Sequence, residues 1–332
     1  MASPNTYLFT IGIPAYNAEQ TITETIHSIL QQTDTGFFEV LIVNDGSSDA
    51  TESICQQFAK QYSNIRLINT ENQGPLLARR EIAKNALGEY IIFLDADDFL
   101  KNEAATTFKS IIDKKNVDMI FYNYSMFTDF TKPQRHGSLE YGLYEGKKLW
   151  ELYRHVCRGE SNQLCFKVIK KTLFDLSNDY SAYKAMKHGE DLFQLLPIID
   201  KAKSVLYTDN CLYYYRRSNT SGTFHYSDSQ LNNIDTLAQR LAVYGKKWRL
   251  ENDALQGTVL QYCYLFKILF HDSSLDTSVQ SIQYATIRER IVALIEASQF
   301  SVLKGLSLSW KCFIKAVQNN HMKIIKLLIR LS

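Results

Sequence analysis

The sequence predicts an α/β fold with a mostly parallel sheet and flanking helices, followed by a helical C-terminal region. Short apolar segments rich in β-branched residues alternate four times with helical periodicity in about the first hundred residues. Such alternation is typical of a parallel sheet with helices on both faces. Beyond about residue 225 the apolar spacing is helical, as at Ile287, Ile291 and Leu294. A length of 332 residues also favours about two domains.

The first three predicted strands each end in a polar loop. Their apolar segments are Leu8–Ile13, Val40–Val43 and Ile65–Ile68. The loops that follow are Pro14–Asn17, Asn44–Asp49 and Glu71–Gly74. Between the first two strands, a helix is predicted by the i, i+4, i+7, i+8 spacing of Ile22, Ile26, Ile29 and Leu30.

The ends of the next two helices are also predicted from single residues. Asp49 and Glu52 have the spacing of a capping box at the start of the second helix. Pro75 suits the first position of the third helix, and Gly88 suits its end. Neither Gly-x-Gly-x-x-Gly nor Gly-x-x-x-x-Gly-Lys-Ser/Thr occurs, which excludes the dinucleotide fingerprint and the P-loop.

The fourth predicted strand, Tyr90–Leu94, ends in a cluster of acids: Asp95, Asp97 and Asp98. In open α/β sheets, ligands bind at the carboxyl ends of the strands. Adjacent carboxylates repel unless a cation lies among them, and their oxygens favour Mg²⁺ or Mn²⁺. The cluster therefore predicts a metal–phosphate site. The alternative is that Asp97 and Asp98 only cap the next helix.

The rest of the chain is less regular. A helix is predicted around Ala104–Ile112 and a strand over Val117–Phe127. Residues 128–220 are rich in aromatic side chains and include the acidic pair Glu190 and Asp191. The N-terminus lacks the pattern of a signal peptide, and no apolar run approaches the ~20 residues that span a bilayer. Six cysteines without C-x-x-C spacing indicate neither a zinc site nor a disulfide framework, which favours a reducing cytoplasm.

Five ordered motifs resemble those of the family 2 glycosyltransferases with the GT-A fold. They are Ile13–Asn17 with Glu19, Val43–Asp49, Asn72–Gly74 with Ala78 and Arg79, Asp95–Asp98, and Glu190 with Asp191. The ordered set is more specific than any one motif. The resemblance implies a Rossmann-like nucleotide-sugar-binding part over residues 1–125 and an acceptor-binding, catalytic part over 126–225. It does not extend to 226–332.

The resemblance also implies the residues that bind the donor. They are Pro14, Tyr16, Asn17, Glu19, Asp45, Asn72, Arg79, Asp95, Ala96 and Arg216. Tyr16 would lie close to the base, Asp45 would accept a hydrogen bond from uracil N3–H, and Asn72 and Arg79 would complete the base pocket. The alternative for residues 44–49 is a tight turn in which Asp49 caps the following helix.

The metal and catalytic residues follow from the same resemblance. Asp95 would contact the ribose side of the donor, and Asp97 would bind a divalent metal (Mn²⁺ or Mg²⁺) that bridges the diphosphate. Asp191 would be the general base that takes the proton of the acceptor hydroxyl, so that one displacement inverts the anomeric carbon. The alternative is that Glu190 and Asp191 only begin the helix before Pro197. Downstream, Arg216 or Arg217 would pair with phosphate oxygens, and His225 would be a further metal or phosphate contact.

The end of the chain is basic. No Asp or Glu follows Glu296, and Lys323, Lys326 and Arg330 have i, i+3, i+7 spacing among apolar residues. This pattern favours a cationic amphipathic helix on an anionic membrane surface. A helix docked on the protein with a solvated basic stripe is the alternative, and nucleic acid is the least favoured partner.

The sequence therefore predicts a metal-dependent, inverting glycosyltransferase with a UDP-sugar donor and a glycan or lipid-linked glycan acceptor in bacterial surface polysaccharide synthesis. We expect it in the cytoplasm or peripherally on the inner face of the membrane, and its oligomeric state stays open. A sugar-1-phosphate nucleotidyltransferase is disfavoured because Pro14–Asn17 is neither glycine-rich nor basic. A receiver-type phosphoacceptor module lacks its acidic pair after the first strand. A non-catalytic sugar-nucleotide-binding protein is the remaining alternative.

Overall fold

The computed structural model describes residues 7–135, 137–184, 186–217, 226–272, 274–299 and 301–330. These residues form two compact units. One unit contains the residues up to Leu152 together with Ser161–Arg217. The other contains Tyr153–Glu160 together with the described residues from Tyr226 onward.

Within the described ranges, the first unit contains one sheet of nine strands. In chain order they are β1 Phe9–Ala15, β2 Phe38–Asp45, β3 Ile65–Thr70, β4 Tyr90–Phe93, β5 Phe99–Leu100, β6 Met119–Ser125, β7 Gly142–Glu145, β8 Lys167–Lys170 and β9 Ser204–Tyr214. Their order across the sheet is β3-β2-β1-β4-β8-β6-β9-β5, and β7 also pairs with β9. The strands β3, β2, β1 and β4 are parallel neighbours, whereas β8 runs antiparallel between β4 and β6.

The helices of the chain before Arg217 are α1 Ile22–Leu30, α2 Thr51–Gln61, α3 Pro75–Asn85, α4 Ala104–Lys115, α5 Leu149–Cys157 and α6 Glu190–Lys201. The parallel strands are buried between such helices, and side chains such as Phe9, Val40 and Ile92 have no exposed surface. Burial on both faces explains why these strands read as continuous apolar runs in the sequence. The four predicted strand–helix repeats and the mostly parallel sheet are confirmed.

Two local predictions are wrong. Asp49 and Glu52 form no capping box, because helix α2 begins at Thr51 while Glu52 accepts a hydrogen bond from Asn69. Gly88 does not end helix α3, which ends at Asn85. A Cβ on Gly88 would lie 2.3 Å from the backbone nitrogen of Thr10, so this glycine permits close approach to strand β1.

Two further predictions about helix ends are corrected by the helix bounds. Helix α4 begins at Ala104 with Glu103 as its N-cap, so Asp97 and Asp98 do not cap it. Helix α6 does begin at Glu190, as the alternative interpretation of the acidic pair requires, but it continues through Pro197 to Lys201. The start of a helix at Glu190 is compatible with either role of the pair.

The second unit is helical, as the apolar spacing predicts. Its helices from Tyr226 onward are α7 Asp228–Trp248, α8 Glu251–His271, α9 Thr277–Ala297, α10 Leu308–Gln318 and α11 Met322–Arg330. Their core includes Val259, Phe266, Ile287 and Ile314, all without exposed surface. Among the described residues, no helix combines the length and apolar character needed to cross a membrane.

Candidate donor-binding and catalytic site

The predicted motifs meet at one edge of the sheet. Strands β1, β2 and β4 are parallel neighbours in the sheet, so the loops at their carboxyl ends lie side by side. These loops contain Pro14–Glu19, Gly46–Ala50 and Asp95–Asp98. The topology thus brings together motifs that are widely separated in the sequence.

Hydrogen bonds join the loop after β1 to the loop after β2. The side chain of Asn17, whose φ is 48°, accepts from the backbone N–H of Ser48 at 2.8 Å. Glu19 accepts from the N–H of Ala50 at 2.9 Å, and its own N–H donates to Asp49 at 3.1 Å. Asn17 and Glu19 therefore shape the edge of the site through the neighbouring loop. Tyr16, which precedes Asn17, is 52% exposed, so its ring is accessible for stacking on a base.

Asp45, at the end of β2, is 4% exposed and organises the loop after β3. Its carboxylate accepts from the backbone N–H groups of Gln73 at 2.9 Å and Gly74 at 2.8 Å. A carboxylate has about four acceptor positions, so these bonds do not exhaust its capacity. Asn72 is exposed in the same loop. Two of the residues predicted to bind the base, Asp45 and Asn72, therefore lie near each other.

The acidic loop after β4 is fixed from two sides. The hydroxyls of Thr21 and Thr25 donate to the carbonyl of Ala96 at 2.8 and 2.9 Å. The hydroxyl of Tyr213 donates to Asp98 at 2.7 Å and accepts from the N–H of Asp95 at 3.2 Å. Helix α1 and strand β9 thus hold the positions of the acids despite their mutual repulsion.

The three acids of this loop have different environments. Asp98 is 1% exposed, and burial together with the charges of Asp95 and Asp97 raises its pKa to about 9. Asp97 is partly exposed, and burial followed by the charge of Asp95 raises its pKa as well. Apart from its own backbone N–H and the nearby charge of Arg216, which lower its pKa, no described residue forms a hydrogen bond or ion pair with the Asp97 carboxylate. Asp97 is therefore the acid of the loop that is open to a ligand.

This arrangement fits a divalent cation. An open carboxylate crowded by like charge gains stability when a cation binds beside it. Within the described residues, no three His, Cys, Asp or Glu side chains form a cluster with metal-ligand geometry. Mg²⁺ and Mn²⁺ are commonly held by one or two carboxylates together with phosphate oxygens and water. Asp97 can supply such a ligand if a diphosphate supplies the others.

Arg216 lies against the acidic loop. Its backbone N–H donates to Asp98 at 2.7 Å, and its Nε–H donates to the carbonyl of Asp97 at 2.8 Å. The guanidinium also pairs with Glu24. These contacts hold a cation next to the predicted diphosphate position. His225, the second predicted metal contact, lies outside the described residues.

Arg79 connects the acidic loop to the acidic pair of helix α6. Its guanidinium, with 7% of the side chain exposed, lies 2.9 Å from Asp95, 3.2 Å from Asp191 and 3.6 Å from Glu190. The resemblance implied a role in the base pocket for Arg79, whereas its charge here is directed at these three carboxylates. One buried cation thus joins the donor-side acid to the predicted base.

Glu190 and Asp191 occupy the first turn of helix α6. Gly189 precedes them with a φ of 75°, which permits the sharp entry into the helix. Burial, followed by the charge of Asp191, raises the pKa of Glu190 to about 8. Burial also raises the pKa of Asp191, while Arg79 and the N–H of Leu164 counteract that shift. The pair therefore holds a proton at neutral pH that a single acid would lose.

Three buried polar atoms at this junction have no hydrogen-bond partner: Nε and Nη1 of Arg79 and Oδ1 of Asp191. Most buried polar atoms are hydrogen-bonded, and exceptions concentrate where a ligand or water completes the site. Nη1 and Oδ1 form an ion pair at 3.2 Å without a hydrogen bond, so the junction has hydrogen-bonding capacity that a substrate hydroxyl or phosphate can use.

Lys167 is a residue of the site that the sequence analysis missed. It lies in strand β8 with no exposed surface, and burial lowers its pKa to about 7. Its Nζ donates to the carbonyls of Ser161 at 2.7 Å and Gln163 at 2.5 Å. The next N–H, that of Leu164, donates to Asp191 at 3.3 Å. The sequence signal that could have identified this residue is a lysine placed directly beside apolar residues of a short strand.

Comparison with known proteins gives a family, a relative and two similar folds. Residues 10–174 match the family model described as Glycosyl transferase family 2. GlyA of Streptococcus pneumoniae, described as a glycosyltransferase, is 25% identical over 249 residues, or 70% of this chain and 34% of GlyA. The chain spans less than two thirds of the length of the curated relatives that it matches.

Both similar structures were solved with a nucleotide-sugar. Residues 1–349 of TarS from S. aureus, in complex with UDP-GlcNAc, give a TM-score of 0.65 and 18% identity, covering 97% of this chain and 90% of that 1–349 chain. The mannosyltransferase PcManGT of Pyrobaculum calidifontis, in complex with GDP-Man and Mn²⁺, has a TM-score of 0.52 and 14% identity, covering 92% of this chain and 90% of PcManGT. At these identities the likeness concerns the fold.

Proposed function

We propose that this chain, which belongs to glycosyltransferase family 2 and has the GT-A fold, transfers a sugar from a nucleotide-sugar to a hydroxyl of a glycan acceptor. The reaction would belong to bacterial surface polysaccharide or glycoconjugate synthesis. The observation that carries the proposal is the contact of one buried guanidinium, Arg79, with both Asp95 and Asp191. This contact supports the proposed roles of the two acids, a donor-side acid and a base, because both carboxylates lie against one guanidinium.

On the donor side, the proposed ligand is a UDP-sugar. Asp45 at the end of β2, exposed Tyr16 and the adjacent Asn72 would bind the base, and Asp95 and Ala96 would lie beside the ribose. TarS, with which this chain shares its fold, was solved with UDP-GlcNAc. PcManGT was solved with GDP-Man, so GDP is the competing nucleotide.

The leaving diphosphate needs positive charge. Asp97 would help to hold a divalent ion, which when bound would supply Lewis-acid stabilisation of the charge that develops on the diphosphate oxygens. Arg216, fixed by the carbonyl of Asp97 and by Glu24, provides a second cation at this place. Arginine suits this role because its planar fork binds phosphate oxygens through two hydrogen bonds.

On the acceptor side, Asp191 is the proposed general base. A sugar hydroxyl is a weak nucleophile, so its proton must pass to a nearby carboxylate as its oxygen bonds to the anomeric carbon. The N–H of Leu164 holds Oδ2 of Asp191. Oδ1 is ion-paired with Arg79 but accepts no hydrogen bond, so it would be the oxygen that takes that proton. A single displacement with one base inverts the configuration at the anomeric carbon.

We place the reaction in the cytoplasm, because all six cysteines are free. An acceptor linked to a lipid would bring the enzyme to the inner face of the membrane.

The experiment is a calorimetric titration of the purified protein with UDP, GDP and TDP, first with Mn²⁺ and then with EDTA. Binding of UDP that is lost in EDTA, with weaker binding of GDP and TDP, is expected. Selective binding of GDP would change the donor assignment. If none of the three nucleotides binds, the proposal of a nucleotide-sugar enzyme fails.

A further inference from the structure

The last helix of the chain, α11, uses only part of its apolar surface for packing. Ile325 and Ile329 are 0% and 4% exposed and belong to the core of the helical unit. Ile324 and Leu327, however, are 46% and 56% exposed on the other side of the helix. Lys323 and Lys326 are exposed beside them. A helix that only docks on its own protein gains nothing from isoleucine and leucine on its solvent side.

The preceding helix, α10, repeats this arrangement. Phe313, Ile314 and Val317 are buried in the same core. Leu308 is 77% exposed at its start, and Lys311 and Lys315 follow on the exposed side at i+3 and i+7. Helices α10 and α11 pack against each other. We call the exposed side chains of these two helices the basic-apolar face: Leu308, Lys311, Lys315, Lys323, Ile324, Lys326 and Leu327.

The positive charge of this face is not neutralised within the described part of the chain. None of its four lysines lies within 4.0 Å of a carboxylate there. Lys326 contacts the ring of Phe270, with Nζ 5.8 Å from the ring centroid, and the other three have no such contact. The sequence has no Asp or Glu after Glu296. The face therefore presents cations with apolar side chains between them.

We propose that the basic-apolar face binds the surface of a membrane that contains anionic lipids. Lysines attract anionic headgroups, while exposed leucine and isoleucine side chains enter the boundary between headgroups and acyl chains. Neither contribution alone anchors a protein stably, but the two together do. The proposal concerns association with the surface only, and it does not rest on the proposed transfer reaction.

The composition of the face favours a lipid surface over two other partners. A nucleic acid would be bound through its phosphates and would leave Leu308, Ile324 and Leu327 exposed. A second copy of the chain, paired through the same face in a symmetric dimer, would bring lysines against lysines. An anionic bilayer matches both the charge and the apolar side chains.

The test is co-sedimentation of the protein with vesicles of two compositions. One contains phosphatidylcholine with about a third phosphatidylglycerol, and the other contains phosphatidylcholine alone. We expect binding to the anionic vesicles that weakens strongly as salt is raised to about 0.5 M, because screening shortens the reach of the lysine charges.

Two double variants separate the contributions of charge and apolar contact. Lys323→Gln with Lys326→Gln should lower the partition coefficient by roughly 10- to 30-fold. Ile324→Ser with Leu327→Ser should lower it by about tenfold. All four side chains are exposed, so circular dichroism should show unchanged folding.

Matched controls carry the same changes elsewhere. Lys114→Gln with Lys115→Gln alters two exposed lysines in the last turn of helix α4. Ile282→Ser alters an isoleucine of α9 that is 65% exposed. Both controls should bind anionic vesicles like the unaltered protein, and UDP titration of every variant should be unchanged.

The proposal is overturned if the unaltered protein binds neither kind of vesicle, or binds both equally. It is also overturned if changes to the face leave binding to anionic vesicles unaffected. Loss of self-association in the same variants, measured by light scattering and without vesicle binding in the unaltered protein, would identify a second copy as the occupant instead.

Discussion

Arg79 and Asp191 form a buried ion pair, with Nη1 of the arginine 3.2 Å from Oδ1 of the aspartate. The positive charge lowers the pKa of Asp191 against the effect of burial. Arg79→Met should remove this effect and raise that pKa, so that Asp191 loses its proton only at higher pH. Since a base acts only when deprotonated, the acidic limb of the kcat/KM profile should move to higher pH by about one unit or more.

The substitution Arg79→Lys is the control for this prediction. Lysine retains the charge but not the fork that reaches Asp95 and Asp191 together, so the limb should move less than in Arg79→Met. An acidic limb at the same pH in all three proteins would show that Arg79 does not tune the base.

Asp97→Ala should weaken UDP binding in the presence of Mn²⁺ by at least about tenfold, because the open carboxylate of the acidic loop is lost. In EDTA, neither the variant nor the unaltered protein should bind UDP measurably. Asp113→Asn, an exposed change in helix α4, should leave Mn²⁺-dependent binding intact. Calorimetry measures the UDP affinity of the unaltered protein and of both variants. If Asp97→Ala and the unaltered protein have equal Mn²⁺-dependent affinity, Asp97 does not bind the metal.

Asp191→Asn should leave donor binding nearly unchanged and reduce transfer by about 10²-fold or more, because the amide cannot take the acceptor proton. Release of UDP from the donor in the presence of acceptor, together with UDP calorimetry, separates the two effects. Normal turnover would exclude Asp191 as the base.

Lys167→Met tests the positioning of that base. The carbonyls of Ser161 and Gln163 would lose their shared donor, and the turn that presents the Leu164 N–H to Asp191 would be less well fixed. We expect kcat to fall by about tenfold with the KM for the donor unchanged, since small displacements of a catalytic group are costly. Lys170→Met, on the same strand but paired with Glu89 at 3.3 Å, is the matched control. A fall in Lys170→Met equal to that in Lys167→Met would point to a general loss of strand packing.

Gly88→Ala should destabilise the protein by roughly 1 to 3 kcal/mol, because its Cβ would press on the backbone of Phe9 and Thr10. Gly36→Ala is the comparison, since its Cβ would meet nothing nearer than Asp34 Oδ1 at 3.5 Å. Urea unfolding monitored by circular dichroism gives both free energies of unfolding. Equal values for the two variants would mean that strand β1 moves to accommodate the methyl group.

The sequence predicts the regular part of the fold because each apolar strand ends in a polar loop. It does not predict β5, which has only two residues, Phe99–Leu100, and no period of its own. It also misses β8, a strand of four residues whose antiparallel place between β4 and β6 depends on distant partners. Local periodicity contains no information about such pairings.

The site, too, could be predicted from the sequence only in part. The acids are recognisable in the sequence because like charges follow a buried strand. The direction of Arg79 toward Asp95 and Asp191 depends on how helices α3 and α6 pack, which no local pattern records. The failed capping box has the same cause, since Asn69 of the neighbouring strand competes for Glu52.

The hydrogen bonds of Asn17 and Glu19 to the loop after β2 bear on any attempt to redesign nucleotide preference. Two hydrogen bonds join the loops: the backbone N–H of Ser48 donates to Asn17, and that of Ala50 donates to Glu19. Grafting one loop from a homologue would break both attachments and leave polar groups without partners. A successful graft would exchange residues 14–19 and 46–50 as one cassette, and the two loops should change together among natural homologues.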